Sequence, residues 1–488
     1  MGKIGERVKA MIRDWLQIQS APQQSIIISE ETSFEANVIK NKIWYRGEAG
    51  ELQQLYKQLN TSGGRFWSSV PADRKIRRIH SGLPSVIVDT LTYIVKADYS
   101  PEVFGDEENA DWNNIEKEID FAELIGEAVS QTLVTGDGAF KISVDTEISP
   151  YPLCEFYPAD RVKFDLKRGR VTAVRFYTNY VQKSMKYTLE EIYSKNKVEY
   201  HLFRGEHEVP LKTIKELSEY KPITFAGDFI MAVPFKIYSS SKYSGRGKSI
   251  FDNKTDDFDA HDEVISQWMD AVRRGRVQRY IPDDLIPRNS KGEMQEVGAF
   301  GADYIKIDSG SGNNDSEQKI QVVQPDINYE AYLSAYTSTL DMCLQGLLSP
   351  ATLGIDLGKM SSADAQREKK DITGHTRNAI TSALEKSLPK LISALLMTYD
   401  NMLSRSPGSY CPTVEFGEYG APDFDSRVDV VNKAATAGTM SVEAQVEELW
   451  GDSKDKKWKE EEVKRINTMK GLISGAPPKV GDEIVDVE

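Results

Sequence analysis

The chain has 488 residues, of which 40% are hydrophobic and 28% charged, and a formal net charge of -14. That length exceeds one ordinary core and implies about three units at roughly 150 residues each, while the composition excludes a disordered or fibrous chain. The acidic balance argues against sequence-specific DNA recognition, which needs a basic face to neutralise phosphates, but not against a protein that lets DNA slide without sticking.

Other classes fall away on local pattern. The best apolar stretches, 83–95 and 391–399, are interrupted by charge or too short to span a bilayer, so no membrane association is expected. The first twenty residues mix charges into an amphipathic pattern without the apolar core of a signal peptide, which points to the cytoplasm. Cys154, Cys343 and Cys411 are widely spaced, as suits a reducing compartment. The five histidines are scattered and neither HExxH nor CxxC occurs, so no metal and no cofactor is expected.

In chain order, a helix is predicted over 4–19, ending before Pro22. A mixed α/β region follows to about residue 245. Its helices are expected at 50–59, at 82–95 with Leu83, Ile87, Leu91 and Ile94 on one face, and at 120–135 with Ala122, Ile125, Val129 and Leu133 on one stripe. The last stops at Gly136-Asp137-Gly138 and turns into a strand over 139–144. Further strands are expected at 161–164, 171–180, 197–202 and 229–237, with Lys167-Arg168-Gly169-Arg170 as a hairpin turn. From Ser249 the character changes. Residues 251–277 carry Phe258, His261, Ile265, Trp268 and Val272 at spacings of three and four, a narrow stripe suited to a parallel helical neighbour. As one helix that stretch would be roughly 40 Å long.

A segment rich in Gly, Pro, Asp and Asn follows, with strand-like runs at 277–281, 302–307 and 320–324 and a polar loop at 308–318. A second helix starts near Asn328, a plausible N-cap, with Tyr329, Tyr332, Tyr336, Leu340, Cys343 and Leu347 on one stripe, and breaks at Ser349-Pro350. The loop 349–362 is punctuated by Pro350, Gly354 and Gly358. A very long helix over 363–403 is expected to be kinked or interrupted at Pro389. After a Pro/Gly-rich strand region at 406–420, helices are expected at 425–437, 441–450 and 456–469, ahead of a disordered acidic end. No internal repeat emerges.

Few constellations carry chemistry. Ser244-Gly245-Arg246-Gly247-Lys248-Ser249 approaches a phosphate-binding loop, but Lys242 stands where the first glycine is needed, so a turn is the expected reading. Asp256, Asp257, Asp259, Asp262 and Glu263 form an acidic cluster. Asp259 and Asp262 share a helix face, so a two-carboxylate metal site is conceivable, but solvated first turns favoured by the helix dipole are expected. Arg273, Arg274, Arg276 and Arg279 either face phosphate or complement a helix C-terminus and pair with a neighbour. Lys359 either meets DNA or is a solvated loop lysine. Tyr329, Tyr332 and Tyr336 have the spacing of a packing face more than of a base-stacking platform. No nucleophile–base motif such as GxSxG is present.

Several motifs carry a family resemblance. Trp44-Tyr45-Arg46-Gly47 followed by Glu51-Leu52 and Tyr56, then Thr135-Gly136-Asp137-Gly138-Ala139-Phe140-Lys141, Tyr157-Pro158-Ala159-Asp160, Gly169-Arg170-Val171 and Ala437-Gly438-Thr439-Met440-Ser441 resemble, in order, bacteriophage portal proteins of the SPP1 type. The resemblance implies an α+β portal fold: an N-terminal arm at 1–29, an α/β wing at 30–248, stem helices at 249–277 and 328–348, and a small β-containing clip at 278–327. It continues with a tunnel loop at 349–362, a long kinked helix at 363–403, a helical crown at 404–480 and an acidic tail at 481–488. It further implies a non-enzymatic, dodecameric ring at one capsid vertex of the virion, assembled in the host bacterial cytoplasm. Its implied partners are the terminase motor, major capsid and scaffolding proteins, a head-completion or adaptor protein, and double-stranded DNA bound without sequence preference. Leu353, Gly354, Ile355, Asp356, Leu357, Gly358, Lys359 and Met360 would line the DNA channel, with Gly354 and Gly358 as hinges. The stem arginines 273, 274, 276 and 279 would be the candidate phosphate-facing group. The alternatives are a tail or baseplate structural protein and a metal-dependent nuclease using the acidic cluster.

Overall fold

The computed structural model describes residues 32–59, 65–68, 76–96, 99–102, 106–275, 278–282, 292, 305–307, 321–323, 326–355, 363–417, 424–451, 454 and 456–469. The expected N-terminal helix, the polar loop 308–318 and the acidic tail lie outside the described residues. The fold is α+β, and the chain divides into two units, 1–415 and 416–488.

The first unit opens with helix α1 (Phe34–Arg46), capped by the Ser33 hydroxyl, which accepts from the Ala36 N–H at 3.2 Å. It stops at Gly47, whose φ of 71° is the left-handed cap that glycine permits. Helices α2 (Ala49–Gln58), α3 (Leu83–Lys96), α4 (Asp106–Glu118) and α5 (Phe121–Thr135) follow. Helices α3 and α5 pack on each other, and Ile87, Val88 and Leu91 on one and Ile125, Ala128 and Val129 on the other are all buried. Strand β1 (Tyr99–Glu102) lies between α3 and α4.

Two sheets follow. In the first, β2 (Asp137–Ser143) is central between antiparallel β3 (Leu153–Pro158) and β10 (Ala232–Lys236), and is buried over nearly its whole length. The second is an antiparallel meander of β4 (Val162–Lys167), β5 (Arg170–Gln182), β6 (Met185–Ser194), β7 (Lys197–Arg204) and β8 (His207–Val209), with β9 (Ile223–Thr224) also on β7. The predicted turn at 167–170 closes the β4–β5 hairpin with Arg168 and Gly169 both at positive φ, as a two-residue turn between right-twisted strands requires. Helices α1 and α4 and strands β1, β3, β6, β8 and β9 are absent from the sequence reading. Their patterns are weak: α4 is mostly polar, with Trp112 and Ile115 buried, and β6 buries the charged Glu190 and Glu191.

Helix α6 (Thr255–Arg274) is shorter than predicted by four residues at its start. Asp252 explains the delay. Its carboxylate accepts from the Asn37 and Asn41 amides at 2.9 and 3.2 Å and from the Ser249 N–H at 3.1 Å, holding 249–254 as turns. Beyond α6, β11 (Gln278–Pro282) pairs parallel with β12 (Ile305–Ile307) and antiparallel with β13 (Gln321–Val323). Helix α7 (Tyr329–Leu344) starts at Asn328, whose side chain accepts from the Ala331 N–H at 3.2 Å, as expected of an N-cap. It ends earlier than its stripe suggested, because Gly346 takes a φ of 76°.

The helix expected to kink or break at Pro389 runs unbroken as α8 (Ala363–Met402), 40 residues with the proline inside. Proline costs one backbone bond there. Leu384, Leu388, Leu391, Ile392 and Leu395 are all fully buried around it, and that packing holds both halves in one helix. Strand β14 (Thr413–Phe416) pairs with β1. In the second unit, α9 (Phe424–Thr436), α10 (Val442–Trp450) and α11 (Lys456–Met469) fall where predicted. Ser441 caps α10, and Trp450 meets Trp458 edge-on at 5.6 Å.

Candidate functional site

Helix α6 presents two faces with different chemistry. One packs on α7. His261 Nδ1 lies 2.9 Å from Thr339 Oγ1, its ring is 5.1 Å from that of Tyr336, and Trp268 stacks parallel to Tyr332 at 6.3 Å. Near the start of α6, Lys254 donates to the Met342 carbonyl at 2.5 Å. As numbers rise along α6 their partners fall along α7, so the pair is antiparallel. The expected parallel neighbour is thereby corrected: this stretch of the stripe is filled by a helix of the same chain. The predicted packing role of Tyr332 and Tyr336 stands, whereas Tyr329 is exposed. Burial pushes the His261 imidazole below its ordinary value, against the opposing pull of Asp262.

The other face of α6 grips residues 66–67 and 79–81. Asp259 accepts from the backbone N–H groups of Phe66 at 2.8 Å and Trp67 at 3.1 Å. Asp262, fully buried, accepts from the Trp67 indole at 3.1 Å and the Ser81 N–H at 2.9 Å, and pairs with His80 Nδ1 at 2.7 Å. One turn on, Ser266 accepts from the Ile79 N–H at 3.0 Å. The acidic cluster was expected to be solvated. That holds for Asp256, which pairs with Arg65 at 2.8 Å on the surface, but not for Asp259 and Asp262. Their oxygens are engaged by N–H donors, which turns the conceivable metal pair into a structural anchor. Burial pushes the Asp259 carboxyl up, partly offset by the two N–H groups it accepts from.

The glycine-rich stretch before α6 is a second anchor. Asp137 accepts from the Gly247 N–H at 2.6 Å and from Arg246 Nη2 at 2.8 Å. Arg246 also donates to the carbonyls of Ala159 and Val162, at 2.8 and 2.9 Å, and lies 4.0 Å over the Phe34 ring. A Cβ on Gly247 would come within 2.0 Å of the Gly136 carbonyl oxygen. The motif 135–138 and the loop 244–249 are therefore two halves of one backbone contact, and the turn reading holds. Burial raises the Asp137 carboxyl against the lowering effect of Arg246.

The chain leaves α7 through Leu347, Leu348 and Ser349 into a 3₁₀ turn (Pro350–Leu353) and reaches α8 after residue 362. Thr373 on α8 clasps that turn: its hydroxyl accepts from the Ser349 N–H and meets the Thr352 hydroxyl, both at 2.9 Å. Of the predicted channel-lining residues, Leu353 closes this turn, Gly354 follows at a φ of 70°, and Ile355 donates its N–H to the Pro350 carbonyl at 3.1 Å. Asp356, Leu357, Gly358, Lys359 and Met360 lie outside the described residues. Arg273 and Arg274 sit in the last turn of α6, where Arg274 pairs with Asp270 at 2.8 Å. Arg276 lies outside the described residues, and Arg279 is on β11. Among the described residues no group of three or more His, Cys, Asp or Glu could hold a metal ion, and no helix is long and apolar enough to cross a membrane.

The anchoring partners Asn37, Asn41, Trp67, His80 and Thr373 were missed in the sequence. Apart from Thr373, these lie about 180 to 215 residues from the carboxylates they meet, and no local pattern announces such pairs.

No family profile matches the chain, and no curated protein does. Among solved structures, a chain of the virion of a native gene transfer agent particle is similar over 94% of this chain and 98% of its own, at 12% identity and a TM-score of 0.39. Chains from the neck of the empty particle, computed with C6 symmetry, and of the native particle, computed with C12 symmetry, are each 13% identical with TM-scores of 0.36. They cover 74% and 75% of this chain and 87% and 89% of their own. These are distant likenesses, and a TM-score below one half carries no functional argument.

Proposed function

We propose that the chain is a ring-forming subunit of the portal type, a non-enzymatic channel for viral DNA at one capsid vertex. The observation that supports this best is a succession: an antiparallel helix pair bracketing a small three-stranded sheet, then a short turn clasped to a 40-residue helix. In this reading α6 and α7 are the stem and strands β11–β13 the clip. The stretch 349–362 is the tunnel loop, 363–403 bridges to a crown at 404–480, and 30–248 is the wing. Helix α6, at 20 residues, spans about 30 Å, enough to form a channel wall when copies associate.

The charge pattern fits a sliding polymer. A net charge of -14 discourages phosphate from adhering, while a few cations at set levels, Arg273, Arg274, Arg276 and Arg279 on the stem and Lys359 on the loop, keep the duplex centred. Gly354 and Gly358 give the loop its hinges, and Leu353, Ile355, Leu357 and Met360 give it apolar contact with neighbouring loops. Packaging energy would come from a terminase motor docking at the clip, where a head-completion or adaptor protein would later attach. Capsid and scaffolding proteins would surround the wing, and assembly would take place in the host cytoplasm. The engagement of Asp259 and Asp262 by N–H donors weighs against a metal-dependent nuclease.

The test is direct. Negative-stain images of the purified full chain should show a holed ring of about twelve copies; a solitary particle at every concentration refutes the reading. In virions, Lys359→Ala should leave ring assembly intact and impair packaging or retention of DNA, and normally filled heads would refute the loop's role.

A further inference from the structure

Between the 143–148 connection, the β6–β7 sheet and the last turn of α8 lies a cleft of about 740 Å³. An ion pair lies in it: Lys141 Nζ is 2.7 Å from Glu191 Oε2, and the two residues are only 7% and 4% exposed. Lys141 also donates to the Tyr157 hydroxyl at 3.3 Å and sits 5.0 Å over that ring, so its donors are occupied within the protein. Burying two charges costs desolvation that their mutual attraction rarely returns in full. A pair kept in an open cleft therefore asks for a reason beyond stability.

The remaining groups point one way in charge. Lining the cleft, Asp145, Glu155, Glu191 and Glu219 stand against Lys141 and Lys221, an excess of two carboxylates. The walls are aromatic. Tyr200 and Tyr220 meet edge-on at 5.1 Å, and Phe225 and Phe229 lie 4.9 Å apart. Burial and the nearby Glu191 push the Tyr200 phenol up to about 12, so it stays neutral at ordinary pH and offers a π face and a hydroxyl. At the mouth, Val144, Ile148, Tyr220 and Ile223 leave apolar surface exposed around one opening. Asn401 of α8 fixes one wall by bonding both the N–H and the carbonyl of Ala226, at 2.9 and 3.1 Å.

We propose that this cleft docks a segment of a partner protein that presents one lysine or arginine between apolar side chains. The apolar flanks would cover Val144, Ile148 and Ile223, while the cation enters among the ring faces and the unbalanced carboxylates. Such an arrangement, an anchor in a partly desolvated pocket with a polar rim, concentrates binding energy in few residues. Phosphate, nucleic acid or an acidic peptide would meet like charge and be turned away. The cleft uses no residue of α6, α7 or the loop between α7 and α8, so the inference stands apart from the channel reading.

The test is selection of a random displayed peptide library on the immobilised full-length chain. Two counter-proteins are used: the double variant Asp145→Lys with Glu219→Lys, and Ile223→Ser. All three positions are solvent-exposed, and thermal melting checks that each variant keeps its fold. Enriched peptides should share a lysine or arginine flanked by apolar residues and bind the charge-reversed protein at least about tenfold more weakly. Binding to Ile223→Ser should weaken by a smaller factor, and affinity for the parent should fall as salt rises. Peptides without a cation, equal binding to parent and variants, or no enrichment at all would overturn the proposal. So would loss of self-association in the same variants, which would make a second copy of the chain the occupant.

Discussion

The two halves of α6 make an instructive pair. Over 255–266 the helix is held on both sides, by α7 on one face and by residues 66–67 and 79–81 on the other, with Asp259, His261 and Asp262 all buried. Over 267–274 the same periodicity continues and Trp268 still stacks on Tyr332 of α7, yet Met269 and Val272 are 50% and 46% exposed. Hydrophobic spacing is equal in the two halves; what differs is how much of it another part of the chain covers. A half whose stripe is met within the protomer is a folding element. A half whose stripe is only partly met keeps apolar surface in contact with solvent.

The anchored half should show the largest effects. Asp262→Ala leaves His80, the Trp67 indole and the Ser81 N–H without their acceptor, and should cost about 3–5 kcal/mol in urea unfolding, as removal of one member of a buried pair does. A loss near zero would mean that Trp67, His80 and Ser81 are not held through this carboxylate. Next comes Gly247→Ala at the second anchor, where the new methyl must displace the Gly136 carbonyl; a cost of about 1–3 kcal/mol is expected by the same measurement.

His261 sharpens the comparison through pH. Its pKa is lowered in the folded state, so its stabilising contribution is present above the ordinary histidine value and is lost as pH falls through the lowered one. The unfolding free energy from urea titrations should therefore decline as pH is lowered from about 7.5 through the usual histidine range, by at most about 1.4 kcal/mol per pH unit for this one proton. His261→Gln, which keeps a partner for Thr339, should flatten that part of the slope; an unchanged slope would assign it to other groups. The smallest effect on the protomer belongs to the open half. Val272→Glu should move stability by less than about 0.5 kcal/mol, as exposed positions do, yet weaken self-association in sedimentation velocity. A large loss of protomer stability, or unaltered association, would break the contrast between the halves.

How far the sequence could be read depends on where the determining partner lies. The hairpin at 167–170, the Asn328 cap and the three helices of the second unit depend on neighbours within a few residues, and each was readable from local chemistry. The start of α6 was misplaced because Asp252 answers to Asn37 and Asn41, more than 200 residues away. Pro389 looked like a break because its backbone cost is local, while the leucine packing that overrides it is tertiary.

By itself, then, the sequence determined the broad succession: the α/β first part, the two striped helices around a strand-rich insert, and the long helix that follows them. These follow from periodicity and turn chemistry, which act over one or two turns. Tertiary structure alone decided that α6 and α7 run antiparallel, that Asp259 and Asp262 are anchors and not solvated charge, and that Lys141 and Glu191 meet within an open cleft. Burial and pairing of charges depend on which distant segments exclude water from them, and no short-range pattern encodes that.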